Sequence, residues 1–248
     1  MRKGYIAVLD SGIGGISLLY ELEKFLPNEK FLYLGDNANA PYGNKTKEQL
    51  LALTKRNIDY LKTYKIKAIV LGCNTLSTNL EREIIDYSGL PVFGVYPPID
   101  EIKKGEKTLL LATKRTAEKY SENVDLTVVG LEGLAKEIEE KKFDLKSVNF
   151  SQILRKETGW KKVDRIGYFH TVILGCTHYN FIKNEILDHF RPQKVISGQY
   201  FTAQKVAGWL ANNKSLENNR GFSVSFIGAH AKENYAFYVS GGQVGKKI

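Results

Sequence analysis

The sequence predicts an α/β protein of two doubly wound lobes with mainly parallel sheets and a functional crevice between the lobes. Three observations carry this expectation. Short apolar runs alternate with amphipathic segments along the chain. A length of 248 residues with 43% hydrophobic content can bury one large core or two modest ones. One phrase occurs twice: Leu71-Gly72-Cys73-Asn74-Thr75 and Leu174-Gly175-Cys176-Thr177-His178 hold the two cysteines of the chain. Each phrase closes an apolar run and precedes a segment with helical spacing.

Taken in order, Tyr5 to Asp10 reads as the first strand, apolar up to Leu9 as a strand covered on both faces requires. Ile16, Leu19, Leu22 and Leu26 then share one helical face until Pro27 ends it, and Phe31 to Asp36 reads as the second strand. Leu50, Leu53, Asn57 and Leu61 recur at helical spacing before the strand-like Ala68 to Cys73 and Val92 to Tyr96. Pro97-Pro98 is the conspicuous break, where the chain is expected to cross between lobes. Thr108 to Thr113, Leu126 to Gly130, Thr171 to Cys176 and Lys194 to Ser197 read as strands beyond it. After Trp209, the polar stretches Asn212-Asn213-Lys214 and Glu217-Asn218-Asn219-Arg220 precede strand-like Phe222 to Ile227 and Tyr235 to Val239, a tail expected to return to the first lobe. The division is therefore residues 1–96 plus 210–248 for the lobe carrying Cys73, and 97–209 for the lobe carrying Cys176. Repeated βαβ units imply parallel strands and right-handed crossovers.

The formal charge of +9 raises a nucleic-acid reading. Lys and Arg are spread among acids, as in Glu81-Arg82-Glu83 and Glu139-Glu140-Lys141-Lys142, which describes solvated helix faces and disfavours a nucleic-acid partner. Mild attraction for a small anionic substrate remains. No apolar stretch reaches the roughly 18 to 20 residues of a membrane span. Met1-Arg2-Lys3 leads straight into a strand rather than a signal-peptide core, so a cytoplasmic protein with both thiols reduced and no membrane partner is expected.

The first strand ends in Asp10-Ser11-Gly12-Ile13-Gly14-Gly15-Ile16-Ser17, a turn that admits close approach to backbone N–H groups. It resembles a dinucleotide fingerprint, and Asp36 stands where a ribose-binding carboxylate would. Against this, Ser17 replaces the third glycine and Asp10 would face the pyrophosphate. Cys73, Cys176 and His178 share the vocabulary of zinc, but there is no Cys-x-x-Cys pair and His170, His189 and His230 lack ligand spacing; no metal and no cofactor are expected. Asn79 and Ile182, six residues beyond the cysteines, exclude a phosphatase-type loop. A buried cysteine is often a small apolar filler. The duplication, and the small polar side chains after each thiol, favour two thiols facing one crevice as an acid and a base; Thr75 and Thr177 could equally cap the following helices.

The blocks Asp10-Ser11-Gly12-Ile13-Gly14-Gly15, Gly35-Asp36 with Pro41-Tyr42-Gly43, Gly72-Cys73-Asn74-Thr75, Ala112-Thr113-Lys114-Arg115-Thr116 and Leu174-Gly175-Cys176-Thr177-His178-Tyr179 together resemble the glutamate racemase family, in order from residue 5 to about 200. The resemblance implies a cofactor-independent isomerase that supplies D-glutamate for bacterial peptidoglycan, with L- and D-glutamate as small-molecule partners and a homodimer left open. It implies Cys73 acting on the face of the D-enantiomer with Asp10, and Cys176 acting on the L face with His178 as a relay. Glu139 falls near the family's second-lobe glutamate, with a solvated helix charge as the equal alternative. Substrate holding would fall to Asp10, Ser11, Asn74, Thr75, Thr113, Thr116, Thr177 and His178, with Pro41-Tyr42-Gly43 closing one side.

Three departures from the family pattern stand out. Asn39 replaces a basic residue, Asn180 replaces a proline, and Ser240-Gly241-Gly242 lacks an aspartate expected in the turn of the last strand, after which the tail looks too short for a further helix. Two other classes remain open on residues alone: a related racemase acting on aspartate or another small acid, and a nucleotide- or nucleic-acid-binding module.

Overall fold

The computed structural model describes residues 4–123, 126–159, 167–216 and 221–241. The Glu217-Asn218-Asn219-Arg220 linker, Gly242 and the end of the tail lie outside them.

The first sheet contains β1 (Tyr5–Asp10), β2 (Lys30–Gly35), β3 (Ile66–Leu71), β4 (Val92–Gly94) and β9 (Ser223–Ile227) in the order β4-β3-β1-β2-β9. The second contains β5 (Thr108–Thr113), β6 (Leu126–Leu131), β7 (Thr171–Gly175) and β8 (Lys194–Ser197) in the order β6-β5-β7-β8. Every pairing is parallel, with Val8 opposite Tyr33 and Val70, and Leu111 opposite Val129 and Leu174. The central strands β1, β3, β5 and β7 are buried almost throughout, the physical reason their sequences are apolar without alternation.

Helices α1 (Ile16–Phe25), α2 (Lys47–Lys62), α3 (Asn74–Ser88), α8 (Gln199–Asn212) and α9 (Ala231–Val239) accompany the first sheet. Helices α4 (Lys114–Glu118), α5 (Leu134–Glu140), α6 (Phe150–Thr158) and α7 (Lys183–Phe190) accompany the second. Local chemistry sets their ends. Thr46 and Gln49 form a reciprocal capping box at the start of α2, with bonds of 3.2 and 2.9 Å. Gly89, at φ 65°, ends α3 in a left-handed conformation and returns its N–H to the carbonyl of Ile85.

One expectation changes. Tyr235–Val239 is helical, not extended. Its aromatic and β-branched residues read as a strand by propensity, but packing selects the helical face: Asn234 and Phe237 are buried, Tyr238 stacks on Tyr20, and Tyr235 and Val239 face solvent. Among the described residues the last strand is thus β9, and a helix does follow it. The division at residue 210 would leave α8 with the second lobe, whereas α8 packs along α1 and β4 of the first sheet. We propose the return at Gly198, where a Cβ would run into the carbonyl oxygen of Tyr96. The outgoing and returning chains touch there, backbone to backbone.

One apolar cluster spans both sheets, joining Ile13, Ile16 and Leu19 to Leu134, Ile138, Leu174 and Phe181. At the opposite end of the first sheet, Lys67 Nζ lies 2.7 Å from Glu29 Oε2 and donates to the carbonyl of Ser215 at 2.8 Å, with both ion-pair side chains buried. Truncating one partner of such a pair strands the other charge. Lys67→Met should therefore lower unfolding free energy by about 3–5 kcal/mol in urea titration; a loss under about 1 kcal/mol would remove this pair from the supports of the fold.

Candidate active site

The chain runs from β1 outward to β2 and then returns to place β3 on the other side of β1; the second sheet repeats this with β5, β6 and β7. In open parallel sheets such reversals leave a crevice at the carboxyl ends of the strands. Asp10 ends β1 and Thr113 ends β5, while Cys73 follows β3 and Cys176 follows β7. The two Leu-Gly-Cys phrases therefore occupy equivalent places in the two lobes. Both thiols are free and buried, and both line one narrow cavity of about 10 Å³.

Ser11, Pro41, Tyr42, Gly43, Asn74 and Thr75 line this cavity from the first lobe, and Thr113, Thr177 and His178 from the second. Ala135, on α5, lines it too, a position that apolar periodicity alone reads as ordinary core. Asp10, Thr116 and Glu139 stand immediately behind this lining.

The glycine turn is filled by the protein itself. Asp10 Oδ2 accepts from the N–H groups of Gly12 and Gly15 at 3.1 and 2.9 Å, and Glu139 Oε2 accepts from Ile13 N–H at 3.0 Å. A Cβ on Gly12 would collide with the Glu139 carboxylate, and one on Gly14 would stand 2.5 Å from His178 Nδ1 and Thr177 Oγ1. These glycines serve close approach of the second lobe, and the N–H groups that a pyrophosphate would use already hold carboxylates. Ser17, at the third glycine position, donates to the carbonyls of Gly14 and Thr177 at 2.7 and 3.2 Å. Asp36 likewise anchors a loop: it accepts from the Tyr42 hydroxyl at 2.6 Å and the Asn39 amide at 2.8 Å. That pins the Pro41-Tyr42-Gly43 turn over the cavity, where a Cβ on Gly43 would stand 2.7 Å from Thr113 Cβ.

Behind Cys176 runs a polar chain. His178 Nδ1 lies 3.8 Å from Cys176 Sγ, and His178 Nε2 lies 2.8 Å from Glu139 Oε2. Glu139 is buried, not a solvated helix charge, and Asn37 donates to its Oε1 at 2.6 Å. Burial opposes the charge on His178, but its bonds to Cys176 and Glu139 outweigh burial and raise its pKa well above 6.5. Burial would likewise raise Glu139, yet the His178 bond and charge, with the Ile13 and Asn37 donors, hold it below 4.5. Both directions favour an imidazolium beside a carboxylate.

Cys73 differs. Burial first, then the Asp10 charge, push its thiol up to about 12, against the opposing pull of the Leu76 N–H and the Ser11 hydroxyl. Burial also raises Asp10, against the charge of His178 and the Gly15 and Gly12 bonds, and Asp10 Oδ1 has no hydrogen-bond partner among the described residues.

Thr75 meets two threonines of the other lobe, one of which, Thr113, stands at the N-cap position of α4 without a side-chain cap bond. Thr75 Oγ1 lies 3.1 Å from Thr113 Oγ1 and 3.4 Å from Thr116 Oγ1, and Thr113 donates to Thr116 at 3.2 Å. In the two cysteine phrases the N-cap positions fall on Cys73 and Cys176 themselves, with no side-chain cap bond at either. Of the departures, Asn39 bonds Asp36, and Asn180 donates to the carbonyl of Thr177 at 3.2 Å. Among the described residues no group of three or more His, Cys, Asp or Glu is arranged to hold a metal ion, and both ring nitrogens of His178 are engaged.

No family model matches the chain. It is 36% identical over 230 residues to the glutamate racemase of Clostridium botulinum (strain Kyoto / Type A2), covering 87% of each chain. A glutamate racemase of Thermus thermophilus solved in complex with β-chloro-D-alanine superposes with a TM-score of 0.75 at 29% identity, covering 94% of this chain and 93% of that one. Isoform RacE1 of the Bacillus anthracis enzyme superposes with a TM-score of 0.78 at 26% identity, covering 97% and 95%.

The His178–Glu139 pair has a defined pH window. The raised His178 contributes stability that is complete below 6.5 and lost as pH rises through its folded value. The depressed Glu139 contributes stability present above 4.5 and lost as pH falls through its folded value. NMR of the His178 ring should show it doubly protonated at neutral pH, and Glu139→Gln should bring its titration down. A neutral ring at neutral pH in the unaltered protein would reject the ion pair.

Proposed function

The chain belongs to the glutamate racemase family, an isomerase family, and we propose that it interconverts L- and D-glutamate by passing the α-proton between two thiols without a cofactor. The observation that carries this reading is the placement of Cys73 and Cys176, one from each lobe, on a single cavity. Inverting a carbon centre by proton exchange needs a base on one face and an acid on the other. In the direction from L to D, the thiolate of Cys176 removes the α-proton and becomes a thiol, while the thiol of Cys73 delivers its proton to the opposite face and becomes a thiolate. The C–H bond broken and the C–H bond formed balance, and the protein is left poised for the reverse reaction.

The raised Cys73 suits the donor half of that step, because a thiol pushed up to about 12 holds its proton at neutral pH. The His178 imidazolium, oriented by Glu139, provides a proton and a positive charge beside Cys176. Asp10 stands behind Cys73 as the corresponding group on the other face. Ser11, Asn74, Thr75, Thr113, Thr116 and Thr177 supply donors for two carboxylates. The three hydroxyls of Thr75, Thr113 and Thr116 bond one another, so a carboxylate would exchange those contacts rather than expose unpaired groups. Holding the α-carbon between the sulfurs supplies much of the rate. The D-amino-acid analogue bound by the Thermus relative is consistent with such a cavity. In a walled bacterium the product would feed peptidoglycan synthesis from the cytoplasm.

Incubation with single enantiomers of glutamate and aspartate in D₂O tests this reading. Loss of optical rotation and deuterium at the α-carbon are expected with glutamate and without added pyridoxal phosphate; turnover of aspartate alone would replace the substrate. Cys73→Ser and Cys176→Ser should each lower racemisation by roughly 10³-fold or more. Full activity in either variant would remove that thiol from the reaction.

A further inference from the structure

A second pair of side chains stands behind Glu139, at the far end of the polar chain from Cys176. Asn37, in the turn after β2, donates through Nδ2 to Glu139 Oε1 at 2.6 Å and to Asn234 Oδ1 at 3.1 Å; Asn234 Nδ2 donates back to Asn37 Oδ1 at 2.9 Å. Asn234 lies on α9 and is fully buried. Both hydrogens of the Asn37 amide are thereby assigned. A half-turn of that amide would set its carbonyl oxygen against the Glu139 carboxylate and its NH₂ against the NH₂ of Asn234. The reciprocal pair decides which end of Asn37 faces Glu139.

The surroundings are shaped for this contact. A Cβ on Gly35 would stand 2.5 Å from the carbonyl oxygen of Gly12, 2.7 Å from Asn234 Nδ2 and 2.9 Å from Asn37 Oδ1, so a side chain there would press on the turn after β1 and on the amides alike. Helix α9 also reaches the second lobe, where Phe237 packs edge-on against Phe143 and Phe181, and Glu233 lies 3.4 Å from Lys142. Docking of α9 by apolar contact alone would be served by an aliphatic residue at 234, since a buried amide is costly unless bonded.

Resting on the function proposed above, we infer that Asn234 is a positioning residue of the reaction: through Asn37 it orients the Glu139 carboxylate on His178 behind Cys176, making the C-terminal helix part of the L-face half of the site. The titratable groups facing Glu139 are His178 from the segment after β7, Asp10 at the end of β1 and Tyr33 of β2. Only His178 bonds it among these. Loss of the Asn37 donor leaves the carboxylate less well stabilised, so Glu139 gains its proton at a higher pH.

Racemisation by Asn234→Ala should fall roughly tenfold in kcat/KM, with the acid limb of the pH profile moved up by on the order of half a unit and the alkaline limb in place. Phe237→Leu, which loosens α9 without touching the amides, should lower thermal stability and leave the acid limb where it was. Should Asn234→Ala fail to fold, Asn37→Ala removes the donor that Asn234 orients, from a partly exposed turn, and carries the same expectation. A wild-type acid limb in these asparagine variants, or an identical shift in Phe237→Leu, would overturn the inference. Glu139→Gln separates the two levels: a wild-type profile there defeats the relay itself, whereas a loss there with an unmoved Asn234→Ala profile defeats the role of Asn234 alone.

Discussion

The Glu139 carboxylate lies buried at the seam between two parallel sheets, and the surrounding chain is arranged so that a negative charge is tolerated there. A carboxylate without partners in such a place would be protonated. Instead it receives the Ile13 N–H from the turn after β1, the Asn37 amide from the turn after β2, and the His178 ring from the segment after β7. One side chain thereby joins three strand ends from two lobes. The orientation of the imidazole beside Cys176 follows from that junction.

The same junction explains the glycines. Gly12 and Gly14 lie where Glu139, His178 and Thr177 come closest to the first lobe, and any side chain there would force the lobes apart. A pattern that resembles a phosphate-binding fingerprint is thus used for contact between protein surfaces, with internal carboxylates on its N–H groups. The two lobes share one apolar cluster beneath these polar contacts. The cavity is bounded by groups whose positions depend on both sheets at once, and Thr75 and Thr113 in its lining bond each other across the lobes.

Much of the fold was legible in the sequence, because β1, β3, β5 and β7 are covered on both faces and so are mostly apolar, the charge of Lys67 in β3 being met by Glu29. The Leu-Gly-Cys phrases were legible for a related reason: each marks where a buried strand opens into the crevice. Tyr235–Val239 was misread because aromatic and β-branched residues suit a strand by propensity, while the partners that make it a helix, Tyr20, Phe143 and Phe181, lie far away in sequence. Ala135 carries no chemical signal that separates a cavity wall from a core. Asn37 and Asn234 carry none either, since an amide in a turn and an amide on a short helix usually face water.

By itself, the sequence determined the alternation of strands and helices, the parallel sheets, and the two thiols at strand ends, since each of these depends on local periodicity and on residue chemistry read over a few positions. Tertiary structure alone decided that both thiols line one cavity, that Glu139 is buried against His178, and that α9 reaches back to Asn37. Those facts depend on contacts between residues far apart in the chain, 39 positions for Glu139 with His178, 126 for Ile13 with Glu139 and 197 for Asn37 with Asn234. Close packing of two lobes creates such contacts, and no local pattern encodes which distant surface will supply the partner for a buried polar group.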